Sequence, residues 1–144
     1  MESDRDQPIR IQADHAHLDD KRGVATYTGD VIITQGSFML KGNTVTVTRA
    51  SDGGIGVITG TGNLAYFEVQ VNARRPDKAK GWGVTIRYEA QKDMISVTDR
   101  AKVEMEGTTS EGKEVVVNLK TMVPTVADAP NPNRTRINVV ITPR

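Results

Sequence analysis

The chain has 144 residues, 37% hydrophobic and 4% aromatic, with no cysteine and a formal net charge of +1. That length fits one domain, residues 1–144 with an ordered core over about 6–142, able to bury roughly two thirds of the surface of its unfolded form; the lack of cysteine excludes disulfides, thiolate metal sites and a cysteine nucleophile. The 19 basic and 18 acidic residues are interspersed, which argues against a nucleic-acid face, and no apolar run approaches the roughly 18 residues of a membrane span.

Apolar positions recur at period two, while the i, i+3, i+4 stripe of a helix is nowhere sustained, so the fold class is all-β. In chain order, strands are expected at 8–14, 15–20, 23–28, 30–35, 37–41, 44–49, 55–59, 63–71, 82–90, 93–98, 101–106, 113–119 and 135–142. Turn signals separate them at Lys21-Arg22-Gly23, Thr28-Gly29-Asp30, Gln35-Gly36-Ser37, Lys41-Gly42-Asn43 and Ser51-Asp52-Gly53-Gly54, each with a glycine for which positive φ is cheap. Two stretches, Asn72 to Lys80 and Val126 to Asn133, read as loops. Pro8 and Pro143 flank the first and last strands, and proline is tolerated at sheet edges. The two chain ends are therefore expected to form the free edges, Pro8, Ile9, Arg10 and Ile11 on one side and Ile137, Val139 and Ile141 on the other.

The pattern repeats about 70 residues on, the segment from His17 lying over the segment from Arg87 with two residues inserted near Asp99. Leu18 then pairs with Tyr88, Ala25 with Ile95, Tyr27 with Val97, Val31 with Val103, Ile33 with Met105, Val45 with Val115 and Val47 with Val117. Lys102, Glu104 and Glu106 fix the parity, because a slip of one residue would bury three charges.

Motifs for chemistry are sparse. Asp14-His15-Ala16-His17, followed by Asp19 and Asp20, puts two histidines on one strand face; without a third histidine it reads better as a solvent-facing edge, with Ala13 and Leu18 as buried partners. Gly60 to Ala65, GTGNLA, imitates a dinucleotide fingerprint but runs into LAYFEVQV, a strand that offers no helix N-terminus. Arg74, Arg75 and Lys80 form a short basic cluster best read as a solvated loop. No catalytic constellation, cofactor motif or metal site follows, so no enzyme is expected. What remains is the inward face, which is either an ordinary sandwich core or a splayed one whose aliphatic lining accepts an apolar ligand.

The segments DQPIRIQAD, LDDKRGVATYTGDVIITQG, NTVTVTR, GTGNLAYF and IRYEAQKD, between about Asp6 and Leu119, resemble the periplasmic lipopolysaccharide transport proteins of Gram-negative bacteria of the LptA type (LptA/LptH, with their OstA-like domain). The resemblance implies an open antiparallel β-jellyroll with an internal two-fold repeat, a periplasmic location, and a hydrophobic groove for the acyl chains of lipid A. It also implies a bridge between inner-membrane Lpt components and an outer-membrane translocon with related jellyroll domains; the two free edges expected above would let subunits add head to tail by backbone pairing. Carried over by motif, the lipid contacts are Ile9, Ile11, Phe67, Tyr88 and Ala90; parity adds Leu18, Tyr27, Val31, Ile33, Phe38, Leu40, Val45, Val47 and Ile86 to the expected groove. A structural sandwich that binds a protein partner by edge-strand pairing, without lipid, is the alternative.

Overall fold

Period-two alternation produces strands longer than the turn signals suggest. The computed structural model describes residues 8–51, 54–72, 75–105, 107–121, 123–127 and 138–141. Its strands are β1 (Ile9–Gln12), β2 (His15–Asp19), β3 (Val24–Gln35), β4 (Phe38–Arg49), β5 (Ile55–Asn72), β6 (Arg75–Glu89), β7 (Met94–Met105), β8 (Thr108–Asn118), β9 (Val123–Ala127) and β10 (Asn138–Ile141). All pair antiparallel in one sheet of order β1-β3-β4-β5-β6-β7-β8-β10, with β2 also on β3 and β9 also on β8.

Several expected boundaries are corrected. Gly23 and Gly36 do reverse the chain, with φ of +66° and +58°. Gly29 has φ of +88° and Asp30 of +45°, yet they interrupt the β3 ladder without ending it: pairing runs from Thr28 with Thr44 to Val31 with Gly42. A positive φ serves a bulge as readily as a hairpin, so 23–28 and 30–35 fuse into β3, and 37–41 and 44–49 into β4. The expected loop Asn72 to Lys80 is mostly strand, because β6 begins at Arg75, and Val126 belongs to β9, where no strand was expected. Arg74, Glu106 and Ile137 lie outside the described residues, and so do the side chains of Arg75, Val139 and Ile141.

The interruptions align across the sheet. They fall at Thr28/Val31 in β3, Lys41/Thr44 in β4, Thr61/Ala65 in β5, Trp82/Thr85 in β6 and Thr98/Ala101 in β7. Bulges bend the strand that carries them, so a line of bulges creases the sheet. One arm contains β1, 31–35, 38–41, 65–72, 75–82, 101–105, the first half of β8 and β10; the other contains β2, 24–28, 44–49, 55–61, 85–89, 94–98, the second half of β8 and β9. The arms close on each other in places: the rings of Phe38 and Tyr88, on opposite arms, have centroids 4.9 Å apart, and a Cβ added to Gly60 would stand 3.1 Å from Leu40 Cδ2. This is an open antiparallel β-jellyroll.

The internal repeat is tighter than expected and carries no insertion. Thr28 pairs with Thr44 and Val31 with Gly42, while Thr98 pairs with Glu114 and Ala101 with Gly112; each position in the second set lies 70 residues after its counterpart. Val31 therefore corresponds to Ala101 and Ile33 to Val103, which corrects the pairing of Val31 with Val103 and Ile33 with Met105. Positive φ recurs at the same places, Asp93 (+52°), Asp99 (+65°) and Arg100 (+55°) standing where the first copy has Gly23, Gly29 and Asp30. The amides of Arg49 and Leu119 donate to the carbonyls of Gly23 and Asp93, both at 2.8 Å.

Parity follows the charges. Val97, Ala101, Val103 and Met105 are buried while Lys102 and Glu104 point outward, as they must if ionised groups are to stay hydrated. The core extends over both arms through Val31, Ile33, Phe38, Leu40, Val45, Ile58, Phe67, Ile86, Tyr88, Ile95, Val115 and Val117, each contributing on the order of 1.5–3 kcal/mol by burial.

Candidate functional site

The arms leave a cavity of about 590 Å³ between their lips at the N-terminal edge of the sheet. Its apolar wall comes from Ile9 on one arm and from Leu18, Val24, Ala25, Val47, Ile55, Tyr88 and Ala90 on the other. Its rim is polar, with Asp19, Asp20, Gln35, Arg49 and Gln91. These residues converge because each stands at or near a strand end away from the crease. Asp19 is held in its turn by the Arg22 amide, which donates to Oδ1 at 3.2 Å, and by the Arg22 guanidinium at 3.8 Å.

The expected groove residues share one continuous inner face but not one environment. Ile9, Leu18, Val47, Tyr88 and Ala90 line the cavity. Val31, Ile33, Phe38, Leu40, Val45, Phe67 and Ile86 are buried against one another, and Ile11 and Tyr27 pack partly buried against them. Leu18 is no buried partner: it lies opposite Ala25 with inward parity but is 66% exposed, because among the described residues β2 is the last strand of its arm. Ala13 is also exposed, in the connection between β1 and β2. Ile55, Ile58, Val69 and Ala79 belong to the same face and were missed, although period two from Ala65 and Phe67 reaches Val69 directly, and Val24 reaches the cavity only from the strand end. The rim residues gave no signal in the sequence, since the rim exists only where strand ends from several places converge.

His15 and His17 lie opposite Thr28 and Thr26, on the parity opposite to Tyr27 and Ala25, and both are exposed. No group of three or more potential metal-ligating side chains gathers among the described residues. The GTGNLA segment lies inside β5.

The outer face carries its own polar network. Tyr66 and Trp82 pair across β5 and β6 with centroids 5.2 Å apart, and the Lys102 ammonium lies 5.6 Å from the Trp82 ring. Tyr66 donates to Glu68 Oε1 at 3.2 Å, and Lys78 Nζ to Glu68 Oε2 at 2.6 Å. Burial, with the carboxylates of Glu68 and Glu104 beside it and its hydrogen bond to Glu68, pushes the Tyr66 phenol up to about 12. The hydrogen bond from Lys78 holds the Glu68 carboxyl below its usual range, against the opposing effect of burial. Exposed pairs of this kind contribute at most about 1 kcal/mol each, so they mark the solvent face more than they hold the fold.

Comparison with known proteins places this geometry. Residues 10–123 match the family model described as LptA/(LptD N-terminal domain) LPS transport protein. The chain is 44% identical over 148 aligned residues to the lipopolysaccharide export system protein LptH of Pseudomonas aeruginosa, covering 100% of this chain and 84% of that protein. It is 33% identical over 119 residues to the lipopolysaccharide export system protein LptA of Escherichia coli, covering 81% of this chain and 63% of that one. The crystal structure of LptH, the LptA homologous periplasmic component of the lipopolysaccharide transport device of Pseudomonas aeruginosa, superposes with a TM-score of 0.90 at 43% identity, covering 98% of this chain and 99% of that one.

Proposed function

The chain belongs to the family of LptA and LptD N-terminal domain LPS transport proteins, and from that premise we propose that it carries lipopolysaccharide through the periplasm as a bridge between the inner and outer membranes. It acts by binding, without a catalytic step. The acyl chains of lipid A lie between the two arms, entering over Ile9, Leu18, Val47, Tyr88 and Ala90, with the saccharide left outside the polar rim. The observation that carries this reading is the cavity at the lips, apolar inside and polar at the margin, continuous with an aliphatic interior face. Burying a methylene is worth about 0.8 kcal/mol, so about ten of them supply on the order of 8 kcal/mol without a polar contact.

Assembly is the second half of the reading. Among the described residues β1 and β2 end the sheet on one side and β9 and β10 on the other, edges that can take a further strand. The exposed large hydrophobic side chains include Ile9 and Leu18 at the first edge and Val123 on β9 at the second. Pairing one edge with the opposite edge of a neighbour is a heterologous contact that propagates into chains, and it would bring the interior of one subunit up to the next. The jellyroll domains of inner-membrane Lpt components and of the outer-membrane translocon are the partners this mode of pairing suits.

The experiment is native mass spectrometry of the protein isolated from its own envelope, alongside Leu18→Glu. A bound mass matching lipopolysaccharide is expected, and it should fall roughly tenfold in the variant, whose exposed position leaves the fold intact. Absence of lipid from the unmodified protein would overturn the carrier reading and leave the edge-pairing scaffold.

A further inference from the structure

Phe38 and Tyr88 meet between the arms at the inner wall of the lip cavity. Tyr88 lines the cavity, whereas Phe38 lies outside the lining, buried, with its ring centroid 4.9 Å from that of Tyr88 and the planes inclined at 34°. Both are held by long ladders: Phe38 sits opposite Gln35 at the β3–β4 hairpin, and Tyr88 lies between Ile58 and Ile95. One ring therefore backs the other, and the two come from opposite arms.

We propose that the Phe38–Tyr88 pair is a stop that sets how long an acyl chain the lip cavity accepts, making these two residues determinants of chain-length specificity. The inference rests on reading the interior as an acyl-chain site. A chain entering at the lips gains about fourfold in affinity for each methylene it buries, until its end reaches Tyr88. Beyond that point a further methylene must stay in water or displace a ring packed at interior density. Affinity therefore rises with chain length and then levels off. Removing the Phe38 ring leaves its volume largely empty, since packed interiors relax only in part, and the Tyr88 ring, no longer backed, can turn into that volume and lengthen the cavity.

The test is calorimetric titration of the full chain with n-alkyl maltosides from octyl to tetradecyl, each below its micelle-forming concentration. The unmodified protein should gain about fourfold per methylene and then reach a plateau. Phe38→Ala should move the plateau to longer chains by on the order of two or three methylenes, and Phe38→Leu by fewer. If Phe38→Ala does not fold, Phe38→Leu decides the matter. The same plateau in the Phe38 variants as in the unmodified protein, or no plateau at all, would overturn the stop while leaving the interior site standing. Failure of the unmodified protein to bind any maltoside would instead overturn the acyl-chain reading, and the stop with it.

Discussion

Phe67 on β5 and Gly81 on β6 face each other across the sheet, and the Phe67 ring occupies the place where a Cβ on Gly81 would stand. Phe67 is fully buried, so a residue without a side chain is what allows an aromatic ring to lie across the inner face. Gly81→Ala forces the ring or the strand to move and should cost about 1–3 kcal/mol, read as a lower urea midpoint with unchanged slope. Phe67→Leu in the same chain should recover part of that loss, and a double-mutant cycle with no coupling would show that the two do not compete for one space.

The bulge at Gly29 combines a left-handed backbone with a close approach. Its φ is +88°, and a Cβ there would collide with the side chain of Asp14, whose amide donates to the carbonyls of Thr28 and Gly29 at 3.0 and 3.1 Å. Gly29→Ala should therefore destabilise by at least about 1–2 kcal/mol. In the second bulge Asp99 stands where Gly29 does, and its neighbour Arg100, which stands where Asp30 does, is exposed and holds φ of +55° with a side chain present. Arg100→Gly should be neutral or stabilising by at most about 1 kcal/mol, despite losing its 3.0 Å hydrogen bond to Asn63. Thermal unfolding of the two variants, moving in these different directions, is the check.

Alkaline titration should find the Tyr66 phenol holding its proton beyond its ordinary range. The Tyr66 phenol is pushed up to about 12 by burial and by the carboxylates of Glu68 and Glu104. The folded chain then keeps a proton that the unfolded chain releases, so any stability from Tyr66 is present below pH 10 and is lost as pH rises toward 12. Glu68→Gln removes one charge and one acceptor while leaving the burial, and should lower the Tyr66 midpoint, followed by phenolate absorbance. For Glu68 the sign is opposite: its lowered folded value gives stability above the ordinary carboxylate range that is lost on acidification.

Removal of residues 136 to 142 takes away β10, which lies at the end of the strand path and pairs with β8 at Thr108–Glu111. The remaining ladders are untouched, so the truncated chain should keep its far-ultraviolet β signature and its lip cavity. Light scattering should show a loss of concentration-dependent association. Association that persists unchanged would place the joint elsewhere, with β9 the first alternative.

Much of the fold was legible because its physics is local and periodic. Lys102 and Glu104 must stay hydrated, which sets the parity of β7 and, through the ladder, of its neighbours. The inner face from Tyr27 to Val47 follows from the same alternation, and so does the choice of Tyr88 over Arg87 as the residue turned inward. The positive φ at Gly23, Gly29 and Gly36 was equally legible, because glycine adopts it at little cost.

What a positive φ does was not legible. Gly36 ends a strand and Gly29 bends one, and the difference lies in whether the flanking segments pair with each other or with a third strand. That is a property of the sheet: β4 continues past Gly42 to hold β3 together across its bulge, and the aligned bulges of five strands create a crease that no one of them contains. The sequence determined which side chains turn inward, through period two and the cost of burying charge. Only the tertiary structure decided which of them meet to close the core, like Phe38 and Tyr88, and which stand at the lips, like Leu18: Leu18 and Tyr88 share one row across the sheet, but Tyr88 lies between β5 and β7 whereas Leu18 lies on β2, the last described strand of its arm.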